Sequence, residues 1–207
     1  MRRVLKIVLI AHVLYSMTAF GQADENEVVL HKFSFCMVCH GYQAQGNTTV
    51  LAPSLAGIEP WYLSSALEAY RSSTRHTSAK ALEMQAAARM IDETEDAEAM
   101  KFIAQMPIGK PQTVAASEEQ LMRGAQGYAQ FCAACHGIEA EGNELLAAPS
   151  LARLSSWYLK SAWQAFREGD RGDSNASVAA QQMRQFTLSL SDEIVIEDLI
   201  AFITETN

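Results

Sequence analysis

"FCAACHGIEAEGN" at Phe131–Asn143 places two cysteines and a histidine within five residues, and "FCMVCHGYQAQGN" at Phe35–Asn47 does the same 96 residues earlier. Cys132, Cys135 and His136 stand at i, i+3 and i+4, as do Cys36, Cys39 and His40, so on one helical turn each trio projects from a single face. Two disulfides would use the four cysteines but would give neither histidine a role. Zinc accepts the same residue types, yet Cys39 and Cys132 lie 93 residues apart, far outside the usual distance between the halves of a zinc site. A thioredoxin-like CxxC needs no adjacent histidine and no second copy. Covalent haem attachment uses every group: the two thiols add across the vinyl groups and the neighbouring histidine becomes an axial ligand. The spacing predicts two covalently bound haem c groups, held by Cys36, Cys39, Cys132 and Cys135, with His40 and His136 as axial ligands.

The repeat extends well beyond the motif. "APSLAGIEPWYLSSALEAYR" aligns without a gap on "APSLARLSSWYLKSAWQAFR", and 19 of 36 positions are identical from Cys36–Arg71 to Cys132–Arg167. The chain is a duplicated unit. "MPIGKPQT" at Met106–Thr113, with two prolines and a glycine, has no helical pattern. The expected division is therefore an N-terminal domain at 24–107 and a C-terminal domain at 108–207, with 108–116 as linker.

Within each unit the periodicity is helical. Ser117, with Gln120 three residues on, predicts an N-cap with a capping box, followed by a helix through Leu121, Gly124 and Tyr128. "SSWYLKSAWQAFREG" carries Leu159, Ala162, Trp163 and Phe166 at spacings of three and four. Ile196, Leu199, Ile200 and Ile203 form the apolar stripe of a last helix, expected to begin near Ser191 and Asp192. Alternating β-branched runs are scarce, so the fold class is all-α.

The first 23 residues read differently. Arg2, Arg3 and Lys6 precede an apolar run to Phe20 and small residues before Asp24, the pattern of an export signal cleaved after Ala23. An uncleaved anchor is the alternative, but His12 interrupts the run and its length is short for a bilayer span. Cleavage leaves 13 basic against 24 acidic side chains, a net charge of −11. That charge argues against nucleic acid and anionic membrane as partners, and it suits a partner with a basic docking surface. No stable membrane span is expected after cleavage.

The CxxCHG, G-N and P-x-L elements, the "YL" on a helix, "FREGDRGD" at Phe166–Asp173 and "LSDE" together resemble class I cytochromes c, specifically the di-haem cytochrome c4 family. The resemblance covers nearly all of the chain after the signal. It implies two tandem class I cytochrome c domains packed about a pseudo-two-fold axis, with haem edges close and electrons passing in the periplasm. It also implies that the carbonyls of Pro53 and Pro149 accept a hydrogen bond from the axial histidines. Trp61, Tyr62, Trp157 and Tyr158, with Arg71, Arg75, Arg167 and Arg171, are candidates for haem propionate contacts. Tryptophan at the first of these positions departs from the family, which has other aromatics or histidine there.

The sixth ligand separates a closed electron-transfer iron from an open catalytic one. Beyond His136 the chain has no further histidine and one methionine, Met183. A His136/Met183 iron is expected, the alternative being a methionine used only for packing. After His40 the choice is wider: Met84, Met90, Met100, Met106 and His76. Met183 lies seven residues before Leu190, and Met84 lies seven before Ile91, each opening a matching segment. The register selects Met84, with His76 as its rival.

The function expected is transfer of electrons in the periplasm, from a quinol-oxidising complex or a dehydrogenase to a terminal oxidase, with no catalytic residues. The alternatives are a di-haem enzyme of peroxidase or thiosulfate-oxidising type, or the cytochrome subunit of a larger dehydrogenase or oxidase complex.

Overall fold

The computed structural model describes residues 33–205 apart from 77, 92, 191 and 192. The expected signal at 1–23, and the expected start of the last helix at Ser191 and Asp192, lie outside the described residues. Helix α1 covers 33–40. It is followed by α2 (Pro60–Arg71), α3 (Ala79–Ala88), α4 (Glu93–Ala104), α5 (Glu118–Phe131), α6 (Ala133–His136), α7 (Ser156–Glu168), α8 (Val178–Ser189) and α9 (Glu193–Glu205), with a 3₁₀ turn at Glu144–Leu146. No β-strand occurs among the described residues; the extended backbone forms only isolated bridges.

The helices begin where short polar side chains supply their missing acceptors. Ser117 accepts from the Gln120 N–H while the Gln120 side chain returns to the Ser117 N–H, closing the expected capping box at 3.3 and 3.1 Å. Ser78 and Ser177 cap α3 and α8 in the same way, through Ala81 and Ala180. Gly169 ends α7 in the left-handed conformation, where its lack of a β-carbon removes the steric cost. Arginines satisfy two further helix ends. Arg71 donates to the carbonyls of Ala88 and Ile91, both at 2.9 Å, and Arg167 donates to that of Leu190 at 2.7 Å. Both guanidiniums are thus engaged with backbone, which distinguishes them from Arg75 and Arg171.

In the first half α2 packs on α3 and α4; in the second, α7 packs on α8 and α9, and α5 crosses α9. Leu63, Leu67, Met100 and Ile103 are buried in the first half, and Leu159, Ile196, Leu199 and Ile203 in the second. Phe33 meets Phe102 edge to ring at 5.8 Å, and Tyr128 meets Phe202 at 5.6 Å. The α5–α9 crossing depends on Gly124. A β-carbon there would collide with the carbonyl oxygen of Asp198 and lie 2.7 Å from the Phe202 β-carbon. Arg123 clamps the same crossing through a two-pronged contact with the buried Asp198, at 2.7 and 3.3 Å.

Gly124→Ala therefore sets two effects against each other. Helix propensity favours alanine by about 1 kcal/mol. The obstacle, however, is the backbone of a neighbouring helix, which no side-chain rotation can relieve, and overpacking of that kind costs roughly 1–3 kcal/mol or more. The expected result is a net loss of about 2 kcal/mol in denaturant unfolding of the holoprotein. An unchanged or higher midpoint would show that the helices can part without penalty.

Candidate haem-binding sites

The two CxxCH trios lie on helical turns, as their spacing predicts. Cys36, Cys39 and His40 end α1. Cys132 is the C-cap of α5, and Cys135 and His136 belong to the single turn of α6. The backbone behind each trio is built twice. Gly41 N–H donates to Met37 at 3.0 Å and Gly137 N–H to Ala133 at 3.0 Å; Gly46 N–H donates to His40 at 2.8 Å and Gly142 N–H to His136 at 2.7 Å. The loops then close through the Asn47–Ala52 and Asn143–Ala148 bridges. No disulfide joins the four cysteines. Burial and the neighbouring Cys135 push the Cys132 thiol up to about 11.

The histidines are held as the family resemblance implies. Nδ1 of His40 lies 2.8 Å from the Pro53 carbonyl oxygen, and Nδ1 of His136 lies 2.8 Å from that of Pro149. A carbonyl can only accept, so Nδ1 carries the proton and donates, and Nε2 keeps the lone pair that a metal requires. Both imidazoles are buried, which lowers their proton affinity, and the proline carbonyl partly reverses that effect in each case.

The expected methionines occupy corresponding helices. Met84 sits on α3 in one stripe with the buried Ala81, Gln85 and Ala88, and it is half-buried against the first core. Met183 is half-buried on α8, one turn before the buried Thr187. Of the other candidate methionines of the first half, Met90 is 74% exposed, Met100 is 3% exposed and packed in the core on α4, and Met106 is half-buried just beyond the end of α4. His76 lies in the connection between α2 and α3, half-buried, with Nδ1 shielded and without a hydrogen-bond partner.

Where the halves meet, Arg75 and Arg171, which occupy equivalent positions of the repeat, form an antiparallel bridge. Each stacks on an aromatic ring of its own half: Arg75 lies 5.1 Å from the centre of Tyr70, and Arg171 lies 4.2 Å from that of Phe166, again an equivalent pair. Symmetry breaks at the phenols. Tyr62 accepts from Arg75 at 3.2 Å and from Arg171 at 3.1 Å. Burial alone would raise the Tyr62 hydroxyl, but the two guanidiniums outweigh it and bring the group down to about 7. Its counterpart Tyr158 is pushed up to about 12 by burial and by Tyr62. Arg75 is only 8% exposed, and no carboxylate among the described residues pairs with either arginine. A buried cation is normally paired.

This donor set fits haem at both places. Two thiols and an imidazole with a free Nε2 share one turn in each half, and the buried Arg75 and half-buried Arg171 lack carboxylate partners in the intervening seam, as haem propionates would require. Of the arginines expected near propionates, Arg75 and Arg171 occupy such a position, while Arg71 and Arg167 serve helix ends. One residue escapes the sequence reading. Glu59 of the first half hydrogen-bonds to the Ser150 N–H of the second at 3.0 Å. Its sequence signal is a departure from the repeat, because the matching position holds Ser155.

Comparison with known proteins agrees with this geometry. A sequence profile of the cytochrome c family matches residues 30–107 and 121–207. The reduced recombinant cytochrome c4 of Pseudomonas stutzeri superposes with a TM-score of 0.69 at 22% identity, over 86% of this chain and 96% of that one. Cytochrome c4 of Acidithiobacillus ferrooxidans gives 0.66 at 21% identity, over 83% and 98%. The thiosulfate dehydrogenase TsdBA of Marichromatium purpuratum gives 0.63 at 21% identity, over 82% of this chain and 36% of that one. A relative from Stutzerimonas stutzeri (strain A1501), described as a thiosulfate dehydrogenase electron acceptor, is 33% identical over 144 residues, which are 66% of this chain and 64% of that protein. The chain therefore belongs to the cytochrome c family, with two cytochrome c domains in the fold of cytochrome c4 and two covalent haem c groups.

Proposed function

We propose that this chain is a periplasmic electron carrier. In this reading Cys36 and Cys39, and Cys132 and Cys135, attach the two haems, and His40 with Met84 and His136 with Met183 close the two irons. When bound, each haem supplies one reversible one-electron site, its potential raised by a thioether ligand. The chain's residues do the rest. Pro53 and Pro149 fix the histidine tautomers, Arg75 and Arg171 offset buried negative charge between the halves, and the cores keep water from the ligands. The division into domains at 24–107 and 108–207, with the 108–116 linker, belongs to the same proposal.

The observation that carries it is the shared register of the methionines. Arg71 and Arg167 donate to the carbonyls of Ile91 and Leu190, which lie just past the ends of α3 and α8, and Met84 and Met183 each stand seven residues before that carbonyl. A thioether in the same place in both halves supports two closed irons, and closed irons favour transfer over chemistry at the metal. The description of the S. stutzeri relative as an electron acceptor supports a dehydrogenase, of thiosulfate-oxidising type, as donor. A quinol-oxidising complex is the other donor class, and a terminal oxidase is the acceptor. No helix among the described residues is long and apolar enough to cross a membrane.

The test mixes reduced holoprotein with oxidase-containing membranes, and oxidised holoprotein with thiosulfate and a small one-electron oxidant such as ferricyanide as electron sink. Rapid oxidation by membranes with no turnover of thiosulfate is expected. Catalytic turnover without a partner enzyme would replace the carrier reading by the enzyme reading. A net charge of −11 after signal removal further predicts that the second-order rate of exchange with a basic partner falls as salt rises and the screening length shrinks to roughly 8 Å and below. The exposed apolar side chains of Tyr42 and Ile138, at equivalent positions beside the two motifs, offer a different contact. A rate indifferent to salt would assign docking to them.

A further inference from the structure

Glu59 stands at the N-cap of α2 but makes no capping bond there. Its side chain crosses instead to the second half, where Oε1 accepts from Ser150 N–H at 3.0 Å. Oε2 is shielded from solvent without a hydrogen-bond partner. Ser150 directly follows Pro149, the residue whose carbonyl receives the His136 Nδ1 proton. A carboxylate from one domain is thus placed behind the axial histidine of the other.

The repeat supplies an internal control. Gly142, at φ +88°, makes the space: a β-carbon there would lie 2.9 Å from Glu59 Oε1. The equivalent Gly46 has the same left-handed φ, +86°, but the atoms nearest to a β-carbon there are backbone atoms of Ala52, Pro53 and Ser54. At the position matching Glu59, the Ser155 hydroxyl accepts from Gln112 N–H at 3.3 Å and brings no charge to the His40 loop. Arg153 donates to the Gly57 carbonyl at 3.2 Å, and no cation among the described residues forms an ion pair with Glu59.

We infer that Glu59 is a positioning residue that makes the two haems unequal, its carboxylate holding down the reduction potential of the C-terminal haem while leaving the N-terminal one alone. The physical reason is that a negative charge behind an axial histidine, with one carboxylate oxygen shielded from solvent, favours the more positive, oxidised state of the metal it serves. The consequence is direction: this charge biases a shared electron away from the C-terminal haem and towards the N-terminal one. The inference rests on His136 and Met183 being axial ligands, as proposed above.

The experiment is potentiometric titration of the holoprotein as wild type, Glu59→Gln, Glu59→Asp, Met183→His, and Glu59→Gln with Met183→His. Glutamine keeps the shape and the acceptor for Ser150 while removing the charge. Met183→His should move one of the two waves downward and so mark the C-terminal haem; if neither wave moves, the ligand assignment is at fault. Glu59→Gln should move one wave upward and hold the other, and in the double variant the moving wave should be the marked one. Glu59→Asp, which retains the charge, should keep most of the wild-type separation. If Glu59→Gln leaves both waves in place, shifts them equally, or moves only the unmarked one, the inference is overturned whatever Met183→His has shown.

Discussion

Replacement of Cys132 and Cys135 together by serine is expected to remove one haem mass from the exported protein and the cooperative fold of its C-terminal half with it. The two thiols are the covalent anchors, and Leu154, Leu159, Ile196, Leu199 and Ile200 belong to the buried apolar core to which the haem would add its own apolar surface. A domain of this size buries too little surface to remain folded after losing so large an apolar partner. Intact mass should show one haem rather than two, resistant to acid–acetone extraction, and the helical signal should fall towards that of the N-terminal half alone. Two haems retained, or an unaltered unfolding transition, would contradict covalent attachment at these cysteines.

The second large effect concerns the methionines. Met183→Ala is expected to remove about half of the weak red-region absorption that an iron–thioether bond gives the oxidised protein, and to lower one of the two potentials. Met84→Ala should remove the remainder and lower the other, while His76→Ala changes neither. The arrangement of the first half favours this outcome. Met90 points to solvent, Met100 is buried in packing and Met106 lies beyond the end of α4, so Met84 is the half-buried thioether on the helix that corresponds to α8. Spectral and potential changes on His76→Ala, with none on Met84→Ala, would transfer the ligand to the connection between α2 and α3.

The parts of the molecule that a linear reading reaches are those fixed by neighbours in sequence. Ser117 and Gln120 are three residues apart, so their capping box follows from local geometry alone. The CxxCH turns are equally local. The Pro53 and Pro149 contacts with the histidines span 13 residues, and they were reachable because the family resemblance carries them. What alignment of the repeat could not supply is the way its copies depart from each other once docked. Equal sequence positions suggest equal roles, yet Tyr62 takes both arginines where Tyr158 does not, and Glu59 reaches a loop 91 residues away while Ser155 stays beside the linker. Those differences arise from the packing of one half on the other. Likewise nothing in "FREGDR" separates Arg167 from Arg171; only the fold sets one on a helix end and the other in the seam.

The central claim is that both irons are closed, each by a histidine and a methionine. Carbon monoxide tests it directly, since it binds ferrous haem readily where a coordination position is open. Addition of carbon monoxide to the fully reduced holoprotein at neutral pH is predicted to leave the absorption spectrum unchanged at both haems, and Met183→Ala is predicted to make one of them responsive. An immediate spectral shift of either haem in the unmodified protein would contradict the account and place an open, reactive iron where it sees only a carrier.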